Sequence, residues 1–294
     1  METNKIGPGA ISVVIVSFNR EKQLRESLAA LHEEPAVPDR SPAVSSGVSV
    51  SPSQASAETA GHFQILVVDN GSRDGSASLD DEFPDVRFSR LPRNFGLTRA
   101  LNIGIRAADR DYVLLLHDDV RISRSAVVAL AEFLDKRPDV AAVCPLLNGP
   151  QVRSLPTPSD PDPTPRPAVA GGAEIVAECV SGAAIMVRAA FLRAMGHVDE
   201  RYGNYGSDIE LCARVRSSNR KLVVLSGIAA QHNTTPSPMS GSALDGDHAA
   251  GTAAFLSKHH GFAAGLLYRV RVSILALFSF RFSVLGGAKI DGSW

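Results

Sequence analysis

Three largely apolar runs stand out in the first half of the chain, and polar residues follow each of them at once. The runs are Ile11–Val16, Phe63–Val68 and Asp111–Leu116. Short apolar runs without polar alternation are typical of strands that are buried on both faces of a sheet. In a parallel sheet the residues after such strands meet at one edge, where open α/β folds bind ligands.

Helical periodicity separates these strands. Helices are predicted over residues 20–32, from a cap at Thr98 to about residue 108, and from a cap at Ser123. Their apolar residues recur every three or four positions: Leu24, Leu28 and Leu31; Leu101 and Ile105; Val127, Leu130 and Leu134. This alternation predicts an α/β fold with a mostly parallel sheet flanked by helices on both faces.

The other segments carry weaker signals. Residues 33–61 are rich in Ser, Pro, Ala and Gly, which predicts a long flexible insertion, and residues 150–170 predict a Pro-rich loop. Further elements are predicted at Val86–Phe88, Glu178–Val187, Leu222–Leu225 (strands) and Ala189–Met195 (a helix that Gly196 ends). We divide the chain into an N-terminal tail (1–9), one domain (10–235) and a basic, apolar helical tail (236–294).

Composition narrows the possible functions. The 294 residues suffice for one large α/β domain or two small ones, and the net charge of −1 gives no sign of nucleic-acid binding. Cys144, Cys179 and Cys212 are odd in number and widely spaced, which predicts buried thiols in a reducing compartment. Neither an apolar leader nor a bilayer-length apolar run is visible, so we expect a cytoplasmic protein.

The C-terminal tail has its own character. From His248 to Ile290 the sequence holds no Asp or Glu but several Lys and Arg residues. The tail is either a helix packed on the domain with a solvated basic face, or a peripheral contact with the inner face of the cell membrane through residues 262–289.

Carboxylates provide the first candidate chemistry. Asp118 and Asp119 follow the third apolar run, and adjacent carboxylates repel each other unless a positive charge holds them together. Carboxylates are ligands that hard divalent cations prefer, so the pair predicts a metal that carries a phosphorylated ligand. Asp69 ends a neighbouring strand and is either an Asx-turn residue or a contact to a base or ribose; the shared sheet edge favours the nucleotide contact.

Three later segments add candidates. Arg93-Asn-Phe-Gly96 is either a plain turn or a means of bringing Arg93 or Arg99 to phosphates. Asp208 stands at a predicted helix start, either as an N-cap residue or as a general base presented to a cleft. His232 follows a strand, and is either structural or a ligand near the carboxylate–metal site.

In order and spacing, five segments resemble the inverting glycosyltransferases with a GT-A fold: Ile11–Asn19, Val67–Ser72, Asn94–Gly96, Leu114–Asp119 and Asp199–Arg214. The chain is similar to glycosyltransferase family 2, in particular to its bacterial branch with rhamnosyltransferase-like enzymes, over about residues 10–232. The resemblance implies metal-dependent transfer of a hexosyl or deoxyhexosyl group in polysaccharide or cell-wall synthesis. The donor would be a nucleoside-diphosphate sugar, and the acceptor a saccharide, a lipid-linked saccharide or a natural product.

The resemblance also implies roles for individual residues. The nucleotide would be held by Asp69 at the base, Asp118 at the ribose, and Ser17, Asn19 and Asn94 along the pocket. Asp119 would bind Mg²⁺ or Mn²⁺ with His232 near it, and Asp208 would be the catalytic base. Two positions depart from the family pattern: His117 stands where Asp or Asn often begins the metal motif, and Ser207 stands where an acidic residue often precedes the base.

Two other functions stay open from the sequence. A nucleotidyltransferase also uses a metal and a nucleotide, but its Gly-rich loop usually follows a strand, whereas Gly7-Pro-Gly9 precedes the first strand. A degenerate protein that binds a nucleotide sugar, or serves as a scaffold, is consistent with the departures at His117 and Ser207.

Overall fold

The computed structural model describes residues 10–33, 63–168, 172–234 and 241–279. The predicted N-terminal tail, nearly all of the predicted insertion at 33–61, and the end of the C-terminal tail lie outside these residues. The predictions made for those segments therefore stay predictions.

Strands and helices alternate through the first half of the described chain. The strands are β1 (Ile11–Ser17), β2 (Phe63–Asp69), β3 (Arg87–Arg90), β4 (Tyr112–His117), β5 (Val120–Arg121), β6 (Val140–Leu147), β7 (Pro150–Arg153), β8 (Arg166–Pro167), β9 (Glu174–Val176), β10 (Cys179–Val180), β11 (Ala184–Arg188) and β12 (Lys221–His232). The helices are α1 (Glu21–His32), α2 (Leu79–Glu82), α3 (Leu97–Ala107), α4 (Arg124–Lys136), α5 (Ala189–Ala194), α6 (Ser207–Ser217), α7 (Gly241–His260) and α8 (Phe262–Ser279).

Nine strands of the described residues form one sheet in the order β3-β2-β1-β4-β11-β6-β12-β5, with β9 also paired to β12. The pairs from β3 to β4 are parallel, and β11 is antiparallel to β4. In register, Ser17 lies beside Asp69, and Val16 lies beside His117. The carboxyl ends of β1, β2 and β4 therefore meet at one edge, and the predicted α/β fold is confirmed.

Both faces of the sheet are covered by apolar side chains. Leu24, Leu28 and Leu31 of α1 are fully buried on one face, and Ile105 and Leu211 are buried on the other. Each buried leucine of this kind contributes about 1.5–3 kcal/mol relative to an exposed one. The predicted apolar faces of the helices are confirmed, and Cys144, Cys179 and Cys212 are free, buried thiols as expected.

Some predicted element bounds are wrong. The predicted cap at Thr98 lies inside the first turn of α3, because Gly96 is the cap residue, with φ of +87°. The strand predicted over Glu178–Val187 is broken at residues 181–183, since β10 and β11 belong to different sheets. An apolar run alone cannot show where the chain passes from one sheet to another.

Two further segments contain more regular structure than the sequence indicates. The Pro-rich segment 150–170 includes β7 and β8, which form a small sheet in the order β10-β7-β8. The last large strand, β12, continues past the predicted Leu225 to His232, with a register shift between Leu225 and Ala229. His232, predicted to follow a strand, is therefore the last residue of one, and it pairs with β5.

Helix α7 packs against α6 and the segment that precedes it. Phe255 of α7 is buried, and Lys258 Nζ lies 2.6 Å from Glu210 Oε1 and 3.0 Å from Asp199 Oδ2. Glu210 is fully buried and also pairs with Arg214 at 2.6 Å. Since a buried carboxylate requires such partners, Lys258 ties α7 to α6. In the described part of the chain, each helix falls short of the length and apolar character that crossing a membrane requires.

Candidate functional site

The carboxyl edge of the sheet opens into two adjoining cavities. The larger, about 320 Å³, is lined by residues at or just after strand ends, among them Asp118, Asp119 and His232. The smaller, about 180 Å³, holds Asp208. His117 and Asn204 line both cavities. Asp118, Asp119 and His232 thus lie in the cavity next to the one that holds the predicted base, whereas Asp69 lines neither cavity.

An arginine holds the two adjacent aspartates together. Arg20 Nη1 lies 2.7 Å from Asp119 Oδ2 and 3.3 Å from Asp118 Oδ1, and all three side chains are largely buried. This guanidinium supplies positive charge that an adjacent carboxylate pair requires. The sequence prediction missed Arg20, although its place just after β1 puts it at the same sheet edge.

The pKa values of the two aspartates shift in opposite directions. Burial raises the pKa of Asp118 to about 6, against the opposing effects of Arg20 and the Ser17 hydroxyl. Burial also acts to raise the pKa of Asp119, but the hydrogen bond with His232, the charge of His117 and the hydrogen bond with Arg20 outweigh it and lower the value to about 2. Asp119 therefore stays ionised far below neutral pH, whereas Asp118 takes up its proton much closer to neutrality.

Three side chains at this end of the cleft form a candidate metal site. His117, Asp119 and His232 each offer one ligand atom, and these atoms lie within 4.8 Å of one another. The carboxylate of Asp119 lies 3.2 Å from His232 Nε2. Burial lowers the pKa of His117, which favours the neutral imidazole that a metal ligand must be.

The donor set indicates what kind of ion would fit. Two imidazole nitrogens and one carboxylate suit a divalent transition metal such as Mn²⁺ better than Mg²⁺, which prefers oxygen ligands and retains water. His117, which breaks the family's usual metal motif, thus stands among the candidate ligands together with Asp119 and His232.

The residues assigned to the nucleotide occupy two kinds of position. Ser17 and Asn94 line the larger cavity. Asp69 is buried, and its Oδ1 accepts a hydrogen bond from the Ser72 N–H at 2.9 Å, which is the Asx-turn arrangement. Asn19 accepts from the Arg73 N–H at 2.8 Å and so ties two loops together. The nucleotide roles of these residues stay predictions.

Asn94 also organises the loop around it. Its Oδ1 accepts hydrogen bonds from Asn70 Nδ2 at 2.9 Å and from the Gly96 N–H at 2.8 Å. Asn70 Oδ1 in turn accepts from the Phe95 N–H at 2.9 Å. This network fixes the turn before α3 at the rim of the cleft. Arg99, one of the two arginines predicted to reach phosphates, pairs with Glu200 at 3.6 Å.

Asp208 is the second residue of α6, and the N-cap interpretation is wrong because Gly206, with φ of +91°, is the cap residue. Asp208 Oδ1 accepts a hydrogen bond from the Ile209 N–H at 2.9 Å, and Asp208 Oδ2 accepts one from the Gly182 N–H at 3.2 Å. A helix amino terminus also favours a negative charge. The side chain keeps 25% exposure, so the carboxylate is fixed yet reachable from the cleft.

A second arginine, also missed by the sequence prediction, contacts Asp208. Arg153 Nη2 lies 3.4 Å from Asp208 Oδ2, and Arg153 Nη1 donates to the Tyr205 hydroxyl at 3.1 Å. Arg153 comes from β7 of the small sheet, and its side chain is 90% buried. Local sequence carries no signal for this pair, since the two residues meet only through the tertiary fold.

Comparisons with known proteins identify the family and the fold. Residues 12–192 match the family described as glycosyl transferase family 2. A poly-beta-1,6-N-acetyl-D-glucosamine synthase of Staphylococcus epidermidis is 35% identical over 83 residues, which is 27% of this chain and 20% of the synthase. The match therefore spans a fifth of that relative's length.

Two solved structures share the fold. GalNAc-T7 with UDP, GalNAc and Mn²⁺ superposes with a TM-score of 0.64 at 15% identity, covering 85% of this chain and 48% of that one. The mannosyltransferase PcManGT of Pyrobaculum calidifontis, with GDP-Man and Mn²⁺, gives a TM-score of 0.55 at 13% identity, covering 94% and 80%. The fold is the GT-A fold of glycosyltransferases. Because the family match extends over more than half of its residues, the chain belongs to glycosyl transferase family 2.

Proposed function

We propose that this chain is an inverting, metal-dependent glycosyltransferase that moves a sugar from a nucleoside-diphosphate sugar to an acceptor hydroxyl. The observation that carries the proposal is the arrangement of the cleft. A triad suited to a divalent cation and the Asp208 carboxylate line adjoining cavities that share His117. The bound nucleotides of the two structural neighbours support this class of donor.

In the proposed reaction, Asp208 accepts the proton of the acceptor hydroxyl while that oxygen bonds to the anomeric carbon. The bond between the anomeric carbon and the diphosphate oxygen breaks on the opposite face, so the configuration inverts and the nucleoside diphosphate leaves with the bonding electrons. Gly182 and Ile209 hold the two carboxylate oxygens through backbone N–H groups, which fixes their direction. General-base catalysis of this kind typically contributes about 10²–10⁴-fold to the rate.

At the other end, Asp119, His117 and His232 would hold the divalent ion, with Mn²⁺ favoured over Mg²⁺ by the donor set. Bound there, the ion would supply Lewis-acid neutralisation of the leaving diphosphate. Ser17, Asn94 and Asp118 line the same cavity and are proposed to contact the nucleotide, with Asp69 and Asn19 supporting its wall. The acceptor is a saccharide, a lipid-linked saccharide or a natural-product hydroxyl.

A second candidate is a protein that binds nucleotide sugars without turnover. It is favoured by the arginines, since Arg20 pairs with Asp118 and Asp119, and Arg153 contacts Asp208. Such pairing reduces the charge that each carboxylate offers to a ligand.

Donor hydrolysis without an acceptor distinguishes these functions. The chain is incubated with a panel of nucleoside-diphosphate sugars and Mn²⁺, and the products are separated by ion-exchange chromatography. We expect release of free nucleoside diphosphate with one donor class, and its loss in Asp208→Asn. Binding without release would support the non-catalytic candidate, whereas release of a sugar phosphate would indicate a nucleotidyltransferase.

A further inference from the structure

The helix α8 uses small residues to pack against α7. Gly265 and Ala276 are buried on its inner side. A Cβ at Gly265 would lie 2.5 Å from the Ala253 carbonyl oxygen and closer still to the Ser257 hydroxyl. The two helices therefore approach closely, and the inner side of α8 leaves no room for large side chains.

The outer side of α8 carries large apolar side chains in solvent. Among the described residues, nine large apolar side chains are exposed, and all except Val176 belong to α8. Phe278 is 82% exposed and Leu267 is 69% exposed. Helical geometry places Leu266, Leu267, Val270, Ile274, Leu277 and Phe278 on one face, opposite the packed side. Single exposed apolar residues are ordinary, but a continuous face of them indicates a binding surface.

The charge around this face indicates the partner. Arg269 and Arg271 are exposed and lie on opposite flanks of the apolar face. From His248 to Ile290 the sequence contains no Asp or Glu. A helix with an apolar face, flanking arginines and no carboxylates complements an anionic lipid surface, since the apolar side chains enter the acyl boundary while the cations meet the headgroups. A protein partner would have to match both features, whereas a bilayer offers both.

We propose that the outer face of α8 docks on an anionic lipid bilayer with the helix axis along the membrane surface. The packing of its inner side on α7 sets that orientation, because the opposite side alone is free to enter the lipid. Helix α7, on which α8 packs, reaches the cleft. Its Asp247 accepts a hydrogen bond from Asn204 Nδ2 at 2.7 Å, and its His248 ring lies 4.1 Å from the Tyr205 ring. Docking would thus place the cleft next to the membrane.

Vesicle sedimentation of the full chain tests the docking independently of any glycosyl transfer. Vesicles of phosphatidylcholine alone are compared with vesicles that also contain phosphatidylglycerol. We expect binding to the anionic vesicles, and a loss of at least about ten-fold in affinity for the triple variant Leu267→Glu, Ile274→Glu and Phe278→Glu. Val176→Glu is the matched control, because it removes an exposed apolar residue outside α8, and it should bind as the wild type does.

A second variant tests the charges without changing the apolar face. Arg269→Gln with Arg271→Gln should weaken binding to anionic vesicles by about five-fold per arginine and leave the melting temperature unchanged. Equal binding by the wild type and both variants would overturn the proposal. It would also be overturned if the wild type ignores vesicles but forms a dimer in light scattering that the triple variant converts to a monomer, because the face then binds a second copy.

Discussion

The two ends of the cleft hold carboxylates in different ways. At the cation end, Asp118 and Asp119 follow β4, and their partners Arg20 and His232 lie directly after β1 and at the end of β12. At the other end, Asp208 is held by the turn after β10 and by Arg153 of the small sheet. The first set depends on the register of one sheet, and the second depends on how two sheets and a helix are placed together.

This difference indicates a division of labour. The cation end concentrates charge, with Asp119 ionised and two imidazoles beside it, which suits the binding of a metal and a diphosphate. The Asp208 end fixes one carboxylate with backbone N–H groups and leaves it partly exposed, which suits proton transfer. Substitutions at the two ends should therefore separate donor binding from turnover.

The largest effect is expected at the cation end. Asp119→Ala should abolish metal-dependent donor binding, and turnover with it, because it removes the anionic ligand of the triad. Isothermal titration with the donor and Mn²⁺ measures this change. Asp81→Ala, at an exposed aspartate outside the cleft, is the matched control. Retained metal-dependent binding in Asp119→Ala would show that the triad is not the metal site.

Asp208→Asn should have the next largest effect, and unlike Asp119→Ala it should reduce turnover while leaving donor binding largely intact. The amide cannot accept the proton, so we expect turnover to fall by about 10²–10⁴-fold, with the donor dissociation constant changed by only a few-fold. Steady-state rates and titration on the same preparation measure both quantities. Full turnover in this variant would remove Asp208 from the role of general base.

A smaller effect is expected from Arg153, which we assign to positioning Asp208. Arg153→Ala should lower turnover by about ten-fold, since the contact is a long charged hydrogen bond, and Arg153→Lys should restore part of it. Donor affinity should not change. Arg166→Ala, on the neighbouring strand of the same small sheet, is the control. A rise in turnover would instead mean that Arg153 restrains the base.

The smallest effect is expected at Tyr112, at the end of β4 away from the cleft. Burial, with the bond to Asp135, raises the pKa of Tyr112 to about 12, and its hydroxyl donates to Asp135 at 2.6 Å. Tyr112→Phe should lower the free energy of unfolding by about 1 kcal/mol and leave donor binding and turnover unchanged.

The difference in free energy of unfolding between the wild type and Tyr112→Phe should decrease as the pH rises. The folded pKa of Tyr112 lies above the ordinary value of about 10, so its contribution to stability is complete below about pH 10 and is lost as the pH rises through about 12. Denaturant unfolding at increasing pH should show the wild type approaching Tyr112→Phe. A difference that grows with pH would contradict this assignment.

The same contrast explains how far the sequence could lead. Apolar runs and helical periodicity predicted β1, β2, β4 and the faces of α1 and α4, because local patterns decide those elements. The same apolar runs predicted that Asp118 and Asp119 lie at the carboxyl edge of the sheet. Arg20 was missed although its place after β1 marks the same sheet edge. Arg153 could not have been found, because local sequence does not show that β7 lies against the start of α6. The break between β10 and β11 was missed because apolar content does not mark a change of sheet. Gly182, which donates its N–H to Asp208, lies in this break.

The most direct test of the account is thermal stabilisation of the full chain by a panel of nucleoside-diphosphate sugars, with and without Mn²⁺. A ligand that binds the folded state at about 100 times its dissociation constant adds about 2.7 kcal/mol, which corresponds to roughly 5–10 °C for a domain of this size. We predict such a shift for one donor class, and only when Mn²⁺ is present. No shift with any donor, or an equal shift without Mn²⁺, would contradict the account.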